Sequence, residues 1–199
     1  MRFASRAWRT AGTVARRFGL EPAEVQEILL DHEASGWVER VEFADVRGWA
    51  LTETGRHENE RALAGELAKT GAKDVVAQSH AAFVHLNARF LEAITRWQLH
   101  PTPWDPMASN DHSDWRWDER VLESLAGLSR RLRPIDEQLS ATLARFAGYA
   151  DRFSAALVRV DEGRRTWVDA PKIDSCHTVW FELHEDLLAT LGLARGAGV

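Results

Sequence analysis

The sequence predicts a mainly α-helical protein, with a small amino-terminal part of three helices and a two-stranded hairpin followed by a larger helical bundle. Apolar residues recur at helical spacing through most of the 199 residues, whereas the two-residue alternation of a strand is found only before residue 52. The chain is 45% hydrophobic and 28% charged, which allows a packed core and excludes wholesale disorder.

Three short helices are predicted in the first 36 residues. The first spans Phe3 to Arg9 and is closed by the turn residues that follow it. The second runs from Thr13 to Phe18 and ends at a glycine, the residue best suited to a helix carboxyl end. The third begins at Glu21-Pro22 and stops at Gly36. Its apolar face consists of Val25, Ile28, Leu29 and His32.

The hairpin and the bundle follow. Trp37, Val41 and Phe43 alternate as one strand, and Trp49 with Leu51 continues the alternation on the return strand. A polar helix from Thr54 to Thr70 then leads to a long helix that is capped by Asp74 and ends near Gln98. Prolines indicate a loop over residues 99–114. Further helices are predicted over Trp117–Leu132, Ile135–Phe146, Asp151–Val160 and Asp174–Leu193, which makes a bundle of about five helices.

The amino-terminal order of elements resembles a known family. The segments concerned are residues 14–20, 25–29 and 36–38, together with residues 48–56, which end in Leu51-Thr52-Glu53-Thr54-Gly55-Arg56. In order and spacing they resemble the winged-helix domain of MarR-type and GntR-type bacterial transcriptional regulators. The carboxy-terminal helical part resembles that of uncharacterised actinobacterial regulator-like proteins. The domains are then expected to be a winged helix over 1–55, a connecting helix over 56–73 and a bundle for ligand binding and dimerisation over 74–199.

This resemblance implies a ligand-responsive regulator that binds duplex DNA as a homodimer. Residues 1–20 carry five arginines and no acid, as a phosphate-binding segment should, but residues 21–60 carry eleven acids against three arginines. Four of these acids fall on the outward face of the helix that would enter the major groove, which leaves an alternative open: a winged-helix protein that does not bind DNA but docks on a protein partner or sequesters an aromatic small molecule. The candidate DNA-binding residues are Arg6, Arg9, Arg16, Arg17, Gln26 and Arg47.

Nine tryptophans against one tyrosine suggest a ligand site in the bundle. Indole rings can hold a flat aromatic or cationic effector, with a histidine as the polar group. The alternative is that these rings pack in the core and the histidines belong to a buried polar network. The candidate ligand-binding residues are Trp97, His112, His177, Trp180, Phe181 and His184.

No catalytic residue, cofactor or metal site is predicted. The serine-nucleophile and phosphate-loop motifs are missing, and the pattern His-Glu-x-x-His fails because Leu188 stands where the second histidine belongs. A mononuclear metal site from His80, His184 and an acid such as Asp111 stays open as an alternative. The longest apolar runs are too short to cross a membrane, and the single cysteine, Cys176, favours a reducing compartment, so a cytoplasmic protein is expected.

Overall fold

The computed structural model describes residues 8–43 and 46–193, in which α-helix predominates, so the predicted fold class, mainly α, is confirmed. The chain divides into two compact units, Met1–Glu66 and Leu67–Val199. Within the described ranges, no helix is both long and apolar enough to cross a membrane.

The first unit contains helices and a small sheet, and the second contains four helices. The elements of the first unit are β1 (Trp8–Arg9), α1 (Ala11–Phe18), α2 (Pro22–Ala34), β2 (Val38–Phe43), β3 (Val46–Leu51) and most of α3 (Glu53–Thr70). Those of the second are α4 (Lys73–Gln98), α5 (Trp115–Thr142), α6 (Tyr149–Asp161) and α7 (Cys176–Leu191), with 3-10 turns at Ala144–Phe146 and Arg165–Trp167.

Local capping sets the ends of α1 and α2. The Thr10 hydroxyl oxygen accepts a hydrogen bond from the Thr13 amide at 3.1 Å, which satisfies one of the free N–H groups at the start of α1. Gly19 ends the helix with φ of 65°, a backbone conformation that is inexpensive for glycine. Proline then stands in the first turn of α2, where its missing N–H costs no helical hydrogen bond.

The three strands form an antiparallel sheet in the order β1-β3-β2, with Val38 opposite Leu51 and Trp8 opposite Ala50. The prediction of a helix reaching Arg9 is therefore wrong at its carboxyl end, because Trp8 and Arg9 pair with β3. Residues 1–7, including Arg6, lie outside the described residues. Helical spacing over so short a segment could not reveal this pairing, because the partner strand lies about 40 residues further along the chain.

The junction between β3 and α3 explains the sequence motif at that point. The Thr52 hydroxyl donates to the carbonyl of Gly36 at 2.6 Å and also accepts from the amide of Gly55 at 2.9 Å. At Gly55, an added Cβ would lie 1.8 Å from the carbonyl oxygen of Trp37. Threonine and glycine at these positions therefore allow the first turn of α3 to pack directly against the backbone at the start of β2.

The second unit packs one continuous hydrophobic core, to which α4, α5, α6 and α7 all contribute. Two predictions for this unit are wrong. Asp74 lies in the first turn of α4 and does not cap it, since the helix begins at Lys73. The two helices predicted on either side of Pro134 are one helix of 28 residues, α5. A proline inside a helix costs about 3 kcal/mol, which is offset because Leu132, Ile135 and Leu139 continue one buried stripe through it.

Candidate functional site

A buried polar network anchors the loop between α4 and α5. The side-chain amide of Asn110 donates to the carbonyl of Trp97 at 3.0 Å and to Oδ1 of Asp118 at 2.9 Å. Its oxygen accepts from the backbone N–H of His112 at 3.0 Å. Asn110 and Asp118 are 9% and 4% exposed, and a buried carboxylate is tolerated only when donors surround it. The network thus ties the end of the loop to the first turn of α5.

His112 is the centre of this network. Its Nδ1 lies 3.1 and 3.0 Å from the two carboxylate oxygens of Asp118. Because a carboxylate only accepts hydrogen bonds, the proton belongs on Nδ1, and Nε2 is the ring nitrogen that can meet a ligand. His112 also has φ of 61°, the one positive φ at a non-glycine residue in the described ranges. Such backbone strain persists only where surrounding contacts hold it, and it is concentrated at functional sites.

Arg165 and Trp97 complete the surroundings of His112. Arg165 Nη1 donates to the His112 carbonyl at 3.3 Å and lies 3.7 Å from Oδ2 of Asp118, while half of its side chain remains exposed. The ring of Trp97 packs on the imidazole, with 4.3 Å between the ring centroids. The structure therefore brings together two of the predicted ligand residues, Trp97 and His112. They lie around the carboxylate of Asp118, which was not among the predicted ligand residues.

The neighbouring indole of Trp117 is already in contact with cationic and aromatic groups of the protein. His100 stacks on it with ring centroids 4.4 Å apart, and the guanidinium groups of Arg96 and Arg120 lie 4.7 and 5.7 Å from its centre. Its N–H donates to the backbone carbonyl of Arg96 at 2.6 Å. Because these cations already make the cation–π contacts of this ring, the arrangement does not favour a cationic ligand here.

The predicted ligand residues of α7 lie elsewhere. Trp180 is buried and stacks on Phe90 with ring centroids 4.5 Å apart, and its N–H donates to Asn87 Oδ1 at 2.9 Å. His177 faces the same Phe90 ring at 6.3 Å. Phe181, another candidate ligand residue of this helix, is 37% exposed and lies off the buried stripe. The buried stripe of α7 runs through Val179 and Leu183. The rings of Trp180 and His177, which face Phe90, therefore belong to core packing around α4.

His184 faces His80 of α4, with the ring centroids 6.2 Å apart. The Nε2 atom of His80 is buried and has no hydrogen-bond partner among the described residues, and burial together with the nearby His184 lowers the pKa of His80. The two imidazoles of the alternative metal site thus do meet. Asp111, the acid considered with them, hydrogen-bonds to the backbone N–H of Ser113. Among residues 8–43 and 46–193, no three His, Cys, Asp or Glu side chains are grouped so that they could hold a metal ion.

Two further groups in the bundle have structural explanations. Arg152 of α6 binds Asp174 through two hydrogen bonds of 3.0 Å and Glu182 of α7 at 2.7 Å. Although burial opposes the charge, these two carboxylates raise the pKa of Arg152. Cys176 is buried, and burial raises the pKa of its thiol to about 12, so it is not a nucleophile at neutral pH.

The candidate DNA-binding residues of the first unit are distributed over α1, α2 and the sheet. Arg9 lies in β1, Arg16 and Arg17 lie in the last turn of α1, and Arg17 is placed over the ring of Phe18. Gln26 is half-buried on α2. Arg47 is exposed and pairs with Glu42 across the hairpin at 3.1 Å. On the exposed face of α2 stand Ala23, Glu24, Glu27, Asp31 and Ala34, with Ile28 and Leu30 also exposed.

Asn110, Asp118 and Arg165 were not among the predicted site residues. The sequence contained one signal for Asp118: it occupies the apolar stripe of α5 three residues before Val121, where a carboxylate requires buried donors. Nothing in the local sequence could indicate Arg165, which reaches the site from 47 residues further along the chain.

The comparisons with known proteins give no further assignment. No protein-family model, no curated protein and no solved structure matches this chain.

Proposed function

We propose that this chain is a ligand-responsive transcriptional regulator of winged-helix type that binds duplex DNA as a homodimer. The observation that carries the proposal is the arrangement of the first unit. Helices α1 and α2 are joined by a tight turn at Gly19, and an antiparallel hairpin follows them directly. In a helix-turn-helix protein, the second helix lies in the major groove and the first contacts the backbone.

The charges of the first unit favour contacts to phosphates over reading of bases. Gln26, the one predicted base reader on α2, is half-buried, and the exposed face of this helix carries Glu24, Glu27 and Asp31. Carboxylates repel phosphate oxygens, so α2 contributes little affinity of its own. The attractive charge comes from Arg9 in β1 and from Arg16 and Arg17 in the last turn of α1. We therefore expect binding that is weakly sequence-specific and strongly dependent on salt.

A salt titration of duplex binding by fluorescence anisotropy tests the proposal. The logarithm of the binding constant should fall linearly with the logarithm of the salt concentration, and replacing both Arg16 and Arg17 with alanine should reduce that slope by about one unit each. The matched control is the double alanine variant of Arg130 and Arg131, two exposed arginines on α5. If the unaltered protein binds no duplex at about 50 mM salt, the regulator proposal fails.

The exposed face of α2 supports a second candidate, a winged-helix protein that docks on a protein partner. Ile28 and Leu30 are 39% and 40% exposed beside the three carboxylates. Apolar side chains that are surrounded by acidic ones suit a protein partner that presents apolar and basic groups. This candidate predicts no duplex binding at low salt, so the same titration separates the two functions.

A further inference from the structure

Two donors from different segments converge on one oxygen of a buried carboxylate in the loop site. His112 Nδ1 lies 3.0 Å and Arg165 Nη1 lies 3.7 Å from Oδ2 of Asp118. The imidazole and the guanidinium therefore both lie within 3.7 Å of the same carboxylate oxygen. Asp118 provides the fixed point, since its side chain is only 6% exposed and also accepts from Asn110.

Both side chains keep nitrogen atoms that can meet a ligand. Asp118 occupies Nδ1 of His112, which leaves Nε2, and 27% of that side chain is exposed. A guanidinium has five N–H donors, and the described contacts of Arg165 involve Nη1 alone, while 53% of its side chain is exposed. The strained backbone of His112 and its packing on Trp97 hold the ring in place before any ligand arrives.

We propose that His112 and Arg165 bind the carboxylate of a small organic anion with an apolar body. Arginine matches the planar, two-oxygen geometry of a carboxylate, and His112 adds a second charge-assisted donor when Nε2 carries a proton as well as Nδ1. A cationic ligand does not fit, because it would face Arg165 and find the ring of Trp117 already in contact with Arg96 and Arg120.

The apolar body of the proposed ligand is inferred from exposed apolar side chains in the same loop and at the start of α5. Trp104 is 93% exposed, Met107 is 67% exposed, and Trp115 at the start of α5 is 60% exposed. The inference rests on the ligand-responsive part of the proposed function and narrows the expected effector from an aromatic or cationic molecule to an anionic one.

The test uses benzoate, with benzamide and inorganic phosphate for comparison, added to the full-length protein without DNA. The imidazole resonance of His112, assigned with a His112→Gln variant, reports binding by NMR. We expect benzoate to shift this resonance in a saturable way, and neutral benzamide to leave it unchanged. Arg165→Gln should weaken benzoate binding about tenfold or more. The control is Arg164→Gln, an adjacent arginine that is equally exposed but pairs with Glu162, and it should change the affinity less than twofold.

Three results would overturn the inference: an unchanged His112 resonance at saturating benzoate, equal effects of the Arg165 and Arg164 variants, or phosphate binding as tightly as benzoate. The last would show that the site recognises oxyanion charge without an organic body. Arg165→Gln removes a half-exposed side chain, so it remains informative even where His112→Gln does not fold. Because the measurement contains no DNA, its failure is distinct from failure of the regulator proposal.

Discussion

Replacing Gly55 with alanine should disrupt the junction between β3 and α3. The added Cβ would lie 1.8 Å from the Trp37 carbonyl oxygen and 2.7 Å from its carbonyl carbon, whereas ordinary contact begins at 3.4 Å. The backbone must therefore separate by about 1.6 Å here. In the parent protein, the Trp37 carbonyl that would be displaced accepts hydrogen bonds from the Thr52 amide at 3.0 Å and from the Thr52 hydroxyl at 3.2 Å.

The expected cost follows from these contacts. Overpacking against backbone costs about 1–3 kcal/mol, and the two weakened hydrogen bonds add about 1 kcal/mol each. Alanine returns about 1 kcal/mol through its higher helix propensity. We therefore expect Gly55→Ala to lower the free energy of unfolding of the first unit by about 2–4 kcal/mol.

The matched control is Gly65→Ala in the same helix, where an added Cβ meets no atom of the described part of the chain within 4 Å. This variant should be about 0.5–1 kcal/mol more stable than the parent protein. Urea unfolding followed through the indole NMR resonances of Trp37 and Trp49 reports on the first unit alone. Equal or greater stability of Gly55→Ala would refute the close approach at this junction.

The remaining predictions concern the bundle. Trp180→Leu should lower the free energy of unfolding by about 2–4 kcal/mol, because it removes the stack on Phe90 and a buried hydrogen bond; thermal or urea unfolding checks this, and an unchanged midpoint would contradict it. Cys176 should react with a thiol reagent at pH 8 only after the protein unfolds. Because burial raises the pKa of this thiol from 9.0 to about 12, its contribution to the free energy of unfolding should be lost as the pH rises from 9 to 12. Burial and the nearby His184 lower the pKa of His80, so the folded protein should lose stability as the pH falls below 6.5. The variant His80→Leu should flatten that part of the curve of unfolding free energy against pH.

Much of the fold could be predicted from local patterns. The hairpin, the helix end at Gly19 and the mainly apolar stripe of α4 follow from turn chemistry and side-chain periodicity, which act over a few residues. The errors arose where a distant segment decided the outcome. Trp8 belongs to a strand because β3 offers it a partner, and α5 continues through Pro134 because residues on both sides of the proline are buried in the core.

In the candidate site, too, the sequence indicated some features and only the tertiary structure showed the others. Composition indicated tryptophans and histidines as ligand residues, and Trp97 does contact His112. Sequence spacing could not show that Trp180 stacks in the core, since its partners Phe90 and Asn87 lie on another helix. It also could not show that Asp118 is the buried carboxylate on which His112 and Arg165 converge.

The sequence by itself determined the helical class of this protein, the hairpin near residue 40 and the concentration of acids on α2, because these depend on residue type and on spacing along one element. Only the tertiary structure decided which histidine is positioned by a carboxylate and which tryptophan is core. Those outcomes depend on contacts between residues up to 93 positions apart, such as Trp180 with Asn87. Spacing within one helix carries no information about which partner another helix will present.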